Sequence, residues 1–189
     1  MSDDDRVRRV RDKLQRAASG RFRPFGSEAH QFRVLAPVAE SELQAFERQH
    51  AIALPDEYRE FLAVVSRGGA GPAYGLIPFG DPLALADPSR PDFLRTPFAF
   101  SDAAGVGEPW ADVDGYTATL LAGTLALCDE GCGYIHFLVC TGPARGDMWV
   151  DAAVSDGGFV PLRCGFMDWY ERWLDDVIAG RDGVGWLAG

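Results

Sequence analysis

The sequence predicts an α+β fold in which an antiparallel sheet of about five to six strands, connected as a meander, packs against helices from the N-terminal half and a C-terminal helix. Two patterns predict it. Apolar residues recur at helical spacing before residue 66 and after residue 165, and short apolar segments alternate with glycine-rich turns in between. With 189 residues, 47% of them hydrophobic, the chain can bury a sizeable core without disulfide bonds. We expect the α+β domain at residues 39–180, a basic helix and connector at 1–38, and a tail at 181–189.

The first predicted helix combines an apolar stripe with a basic outer face. The stripe consists of Val7, Val10, Leu14 and Ala17, which follow one another at intervals of three and four residues. Residues 1–33 contain nine basic and five acidic side chains, a net charge of +4. A basic run can mark a nucleic-acid arm, but on an amphipathic helix it is more typical of a solvated face, and that is our interpretation.

Two further helices are predicted at residues 39–50 and 55–65. In the first, Leu43 and Phe46 face inward and the charged residues face outward. In the second, Pro55 stands at the first helical position, where the N–H that proline lacks would have no partner within the helix. Gly68-Gly69 ends this helix, because glycine readily adopts the left-handed conformations found at helix ends.

Short apolar segments between turns follow the helices. Strands are expected at residues 74–79, 124–128, 134–140, 147–151 and 159–162, and a last helix at 166–179. Short turns between most of these strands indicate an antiparallel meander. Residues 81–122 interrupt the series with a segment rich in Pro, Asp and Gly and a net charge of −5. A connection of this length is usually functional or disordered.

One cluster of potential metal ligands or nucleophiles occurs, at Cys128-x3-Cys132-x3-His136. Its spacing differs from the C-x2-C arrangements typical of zinc sites. A reactive thiolate needs electropositive surroundings, whereas the neighbours here are Asp129 and Glu130. We interpret the cluster as buried cysteines with a hydrogen-bonded histidine, and we expect no metal, no cofactor and no catalytic residue.

The net charge of −10 bears on the kind of partner. Residues 34–189 alone carry −14, which repels phosphate backbones and attracts basic proteins, so direct nucleic-acid binding is disfavoured. No apolar run has the length of a secretory or membrane segment. We therefore expect a cytoplasmic protein that does not enter a membrane and whose four cysteines are reduced.

Two blocks of sequence carry a family resemblance. The first is Leu54-Pro-Asp-Glu-Tyr-Arg-Glu-Phe-Leu62 followed by Gly68-Gly-Ala-Gly-Pro-Ala-Tyr-Gly-Leu76. The second contains Asp129-x-Gly131-Cys-Gly133, Leu138-Val-x-x-Gly142, Gly146-x-x-Trp149-x-Asp151 and Trp169-Tyr-x-x-Trp173-Leu174. In this order, across residues 39–180, they resemble the signature of the SUKH superfamily, the Smi/Knr-type proteins.

The resemblance implies a binding module without agreed catalytic residues. It also implies that bacterial relatives include immunity proteins, which neutralise toxins, frequently nucleases, delivered between competing cells. The positions that match the motif are interpreted as structural: Leu54, Pro55, Tyr58, Gly68, Gly69, Gly75, Gly131, Gly133, Gly142, Trp149, Trp169 and Trp173.

We accordingly predict a non-enzymatic protein that binds a basic toxin domain. The expected contact surface is Glu108, Trp110, Asp112 and Asp114, since an aromatic side chain among acids on a loop is a typical binding hot spot. Two alternatives stay open. One is a cytoplasmic scaffold or regulator of the Smi/Knr type without a toxin partner, and the other is a metal-dependent hydrolase that uses Cys128, Cys132 and His136.

Overall fold

The sheet is a four-stranded antiparallel meander with the order β1-β2-β3-β4. A computed structural model describes residues 3–101, 119–155 and 157–183. The strands are β1 (Thr124–Gly131), β2 (Tyr134–Val139), β3 (Asp147–Asp151) and β4 (Phe159–Gly165). The α-helices are α1 (Asp3–Ser19), α2 (Ser27–His30), α3 (Glu40–His50), α4 (Asp56–Val64) and α5 (Phe166–Ile178). The predicted α+β class is therefore confirmed, with helices from the N-terminal half and a C-terminal helix.

The predicted number of five to six strands is too high, because residues 74–79 do not form a strand. Leu76 instead makes isolated bridges to Gly69 and to Cys128 of β1. Two features prevent a longer ladder. Ala73 and Gly75 have positive φ angles, which bend the chain just before Leu76, and Pro78 has no N–H to donate. The segment thus lies along the edge of β1 without extending the sheet by a full strand.

The two faces of the sheet are covered differently. On β2, His136 faces α5, where its ring lies 5.4 Å from that of Trp169. Its neighbour Phe137 points to the opposite face, as strand geometry requires. There, Phe98 packs against Phe137 and Trp149 at ring distances of 5.5 and 5.2 Å. The irregular segment expected to be functional or disordered therefore contributes, at Phe98, a fully buried part of the core.

Helix α1 packs against α5 through the predicted apolar stripe, in which Val7, Val10, Leu14 and Ala17 are all buried. Its basic face is only partly solvated, contrary to the simple interpretation from sequence. Arg6, Arg9 and Lys13 all reach the carboxylate of Glu171 on α5, at 3.3, 2.7 and 2.9 Å. In the sequence, these three cations contribute to the net positive charge of residues 1–33. In the folded protein they pair with a carboxylate that lies more than 150 residues further along the chain.

Candidate functional site

The thiol of Cys128 forms a hydrogen bond within the core. Its thiol is buried in β1 and lies 3.1 Å from the carbonyl oxygen of Pro72, which accepts its hydrogen bond. Burial, together with the nearby Glu130 and Asp129, raises the pKa of this thiol well above its ordinary value. A thiol held in this way is a weak nucleophile at neutral pH. Cys132 lies apart from it, exposed at the tip of the β1–β2 hairpin.

His136 is likewise held by its neighbours. The indole N–H of Trp169 donates to His136 Nδ1 at 2.9 Å, so the lone pair of that nitrogen is already used. His136 Nε2 lies 2.7 Å from Glu130 Oε1, which is ion-pair distance, although the two groups are not aligned for a hydrogen bond. The described residues contain no group of three or more His, Cys, Asp or Glu side chains arranged to hold a metal ion.

The glycine-rich segment 68–76 forms a loop that is held from three sides. The hydroxyl of Tyr170 donates to Ala70 O at 2.8 Å, and Cys128 donates to Pro72 O as described above. Gly69 and Leu76 exchange two backbone hydrogen bonds, of 3.1 and 2.7 Å. The buried ring of His30 packs beneath Gly75, where a Cβ atom would meet it at 3.2 Å. The loop is therefore fixed to the core on its inner side.

The outer side of this loop presents Tyr74, which belongs to a row of exposed side chains at one end of the sheet. We define the aromatic ridge as Phe25, Tyr74, Cys132 and Val154. The rings of Phe25 and Tyr74 meet edge to face at 5.5 Å. The exposed fractions of Phe25, Tyr74 and Val154 are 49%, 46% and 60%, and Cys132 is exposed as well. Exposed apolar groups gathered in one row are a feature of interaction surfaces.

Sequence reasoning missed the aromatic ridge because its four members come from four separate segments of the chain. The sequence pattern places Tyr74 in a predicted strand and Phe25 in a connector. One local signal was present: Phe25 stands between Pro24 and Gly26, a turn-forming context in which an aromatic side chain is easily left exposed. That context does not reveal that Phe25 meets Tyr74.

The model of the SMI1 / KNR4 family (SUKH-1) matches residues 37–157, more than half of the chain. The chain belongs to this family. No match was found among curated proteins or among solved structures. The predicted relation to the SUKH superfamily is thereby confirmed.

In this SUKH-1 protein, the motif residues lie in the core or at turns of the backbone. Leu54, Tyr58, Trp149, Trp169 and Trp173 are buried in the core. Pro55 is buried too, and it precedes α4 as the N-cap residue rather than occupying the first helical position. The six glycines interpreted as structural positions all adopt positive φ angles, a backbone conformation that favours glycine: Gly68, Gly69, Gly75, Gly131, Gly133 and Gly142.

The surface predicted from sequence cannot be placed in this geometry. Glu108, Trp110, Asp112 and Asp114 lie outside the described residues. They stay a prediction, to be tested by binding measurements. No helix among the described residues has both the length and the apolar character needed to cross a membrane.

Proposed function

We propose that this SUKH-1 protein is a non-enzymatic binding module, and that it acts in the cytoplasm as an immunity protein that binds and neutralises a cognate bacterial toxin. The observation that carries the proposal is membership of the SMI1 / KNR4 family, which includes toxin immunity proteins. The alternatives are a regulator without a toxin partner and a hydrolase.

The charge of the protein indicates the chemistry of the partner. The net charge is −10, and three of the six cations of α1, namely Arg6, Arg9 and Lys13, pair with Glu171 on α5. An acidic surface accelerates association with a basic one and does so most strongly at low ionic strength. We therefore propose a basic toxin domain, such as the nucleic-acid-binding domain of a nuclease, and no direct contact with nucleic acid.

One observation supports binding rather than catalysis, and a second supports the cytoplasm rather than an oxidising compartment as the place of action. The side chains that could have formed a nucleophile pair, Cys128 and His136, are engaged with Pro72 and Trp169. All four cysteines are free, which is usual where thiols stay reduced.

Binding to the toxin domain encoded beside the gene tests the proposal. We expect co-purification of the two proteins, protection of bacteria that express the toxin, and binding that weakens as salt is raised. A gene neighbourhood without a toxin, or a neighbouring toxin that the protein neither binds nor inhibits, would contradict the proposal and favour a regulatory role.

The sequence-predicted surface is tested in the same assay. Trp110→Ala and the combination Glu108→Gln/Asp112→Asn/Asp114→Asn are expected to weaken binding. Asp56→Asn is the matched control, because this carboxylate is almost fully exposed on α4, outside the predicted surface. Binding that is indifferent to the loop changes would remove these residues from the interface without excluding a toxin partner.

A further inference from the structure

We propose that the aromatic ridge is a docking surface for an arginine-bearing segment of a basic protein partner. This inference rests on the proposed function and specifies which face of the protein would meet the toxin. Of the six large apolar side chains exposed among the described residues, three belong to the ridge: Phe25, Tyr74 and Val154.

The ridge is built by close backbone packing. At Gly26, with φ at +74°, a Cβ atom would lie 2.6 Å from the carbonyl oxygen of Ala73, so only glycine lets these two loops approach and bring Phe25 against Tyr74. On the other side, the glycines of the β1–β2 turn face the ridge. Gly131 lies under the ring of Tyr74, and Gly133 lies under Val154. The exposed side chains are thus held in position before any partner arrives, which lowers the entropic cost of binding.

Two carboxylates flank the aromatic pair. Asp182 Oδ1 accepts the backbone N–H of Phe25 at 2.8 Å, and Asp129 Oδ1 accepts that of Gly131 at 2.7 Å, next to Tyr74. Neither carboxylate forms an ion pair within the described parts of the chain. The ridge therefore has a negative charge at each end of an exposed aromatic pair.

The arginines nearest in sequence do not neutralise this surface. The guanidinium of Arg23 donates to Gly20 O and Phe22 O and lies over the ring of Phe32. Arg181 is paired with Asp176 at 2.9 Å. Both guanidinium groups thus bond to other acceptors than Asp129 and Asp182, so a cation from a partner would supply a charge to these carboxylates.

Arginine fits this arrangement better than other side chains. Its planar guanidinium can lie against the face of Tyr74 or Phe25 and at the same time donate to a neighbouring carboxylate. Lysine can provide the charge but not the planar stacking. The acidic net charge of the protein would bring a basic partner to the ridge, and the aromatic pair would hold it.

The test compares variants in binding to the toxin domain encoded beside the gene, by titration calorimetry at low and high salt. Phe25→Ala/Tyr74→Ala is expected to weaken binding about 30-fold or more. Asp129→Asn/Asp182→Asn keeps the oxygen acceptors of the two backbone bonds but removes the charges. It is expected to weaken binding about tenfold and to reduce the salt dependence. Because this second variant preserves shape and hydrogen bonds, it keeps the test valid even if the first one unfolds.

Leu83→Ala is the control. Leu83 is 77% exposed, and its neighbours Pro82 and Ala84 line a cavity with Leu125, near the start of β1, whereas the ridge lies at the turn where β1 ends. It is expected to change binding less than about threefold. If the wild-type protein binds the toxin and both ridge variants bind equally well, the inference is wrong while the proposed function stands. If the wild-type protein does not bind, the proposed function fails and the inference fails with it.

Discussion

Replacing Glu171 with glutamine tests whether the basic helix is held by buried charge pairing. The Glu171 side chain is only 11% exposed and receives Arg6, Arg9 and Lys13 from α1. Glutamine keeps the size of the side chain and one acceptor oxygen. It leaves three cations facing one another without the carboxylate that they surround, so α1 should detach more easily from α5.

The expected size of the effect follows from the pKa of the carboxyl group. Burial favours the neutral form of Glu171, but hydrogen bonds from Arg9 and Lys13 and their positive charges outweigh it and lower the pKa to about 2, from an ordinary value of 4.5. This difference corresponds to about 3 kcal/mol of stability. Because the pKa is lower in the folded state, the contribution is fully present above pH 4.5 and is lost as the pH falls toward 2.

Urea denaturation of wild type and Glu171→Gln from pH 7 to about pH 3 measures this contribution. At pH 7 the variant is expected to lose up to about 3 kcal/mol of unfolding free energy, and by pH 3 about 2 kcal/mol of that difference should have disappeared, since wild-type Glu171 then takes up a proton on unfolding. Asp176→Asn is the control on the same helix. Its partner Arg181 is exposed, so a loss of at most about 1 kcal/mol is expected. A difference between wild type and Glu171→Gln that is the same at pH 7 and pH 3 would refute the reasoning.

Three further predictions concern the turn, the buried histidine and the irregular segment. Cys132 has a φ of +52° in a two-residue turn, a conformation that asparagine tolerates better, so Cys132→Asn should stabilise the protein by about 0.5–1 kcal/mol in thermal or urea unfolding, and Cys132→Val should destabilise it. Trp169→Phe removes the donor to His136 Nδ1 and should cost about 1–3 kcal/mol in the same assay; an unchanged stability would mean that this hydrogen bond contributes nothing. Phe98→Ala should cost about 3–5 kcal/mol, as expected of a core phenylalanine, whereas an effect below 1 kcal/mol would contradict its packing against Phe137 and Trp149.

Local patterns sufficed to predict most of the helices and strands. Helices predicted at 39–50 and 166–179 are observed at Glu40–His50 and Phe166–Ile178. Amphipathic spacing predicts them because it depends only on residues within a few consecutive turns of the same helix. The prediction of an additional strand at 74–79 was wrong, because the apolar pattern does not reveal the backbone conformation of this segment. Positive φ angles at Ala73 and Gly75 result from how this loop packs on His30 and Cys128, which are distant in sequence.

The candidate site was less predictable than the fold, since its geometry depends on contacts between distant segments. The prediction that Cys128 and His136 are occupied by structural contacts followed from spacing and neighbouring charge. The identities of their partners, Pro72 and Trp169, did not. In the same way, the sequence showed the basic face of α1, but only the packing of α1 on α5 shows that Glu171 receives three of its cations.

The proposed docking surface combines the matched family region with the segment that precedes it. Tyr74, Cys132 and Val154 lie within residues 37–157, whereas Phe25 precedes this range. Phe25 follows α1, which packs on α5 through apolar residues and the Glu171 pairs, and its backbone is bonded to Asp182 just beyond α5. The N-terminal segment therefore contributes to the docking surface, because its attachment to α5 positions one of the two rings of the ridge. A partner that binds both Phe25 and Tyr74 would contact a surface that residues 37–157 do not form by themselves. Contact with Phe25 would allow the partner to discriminate this chain from other members of the family.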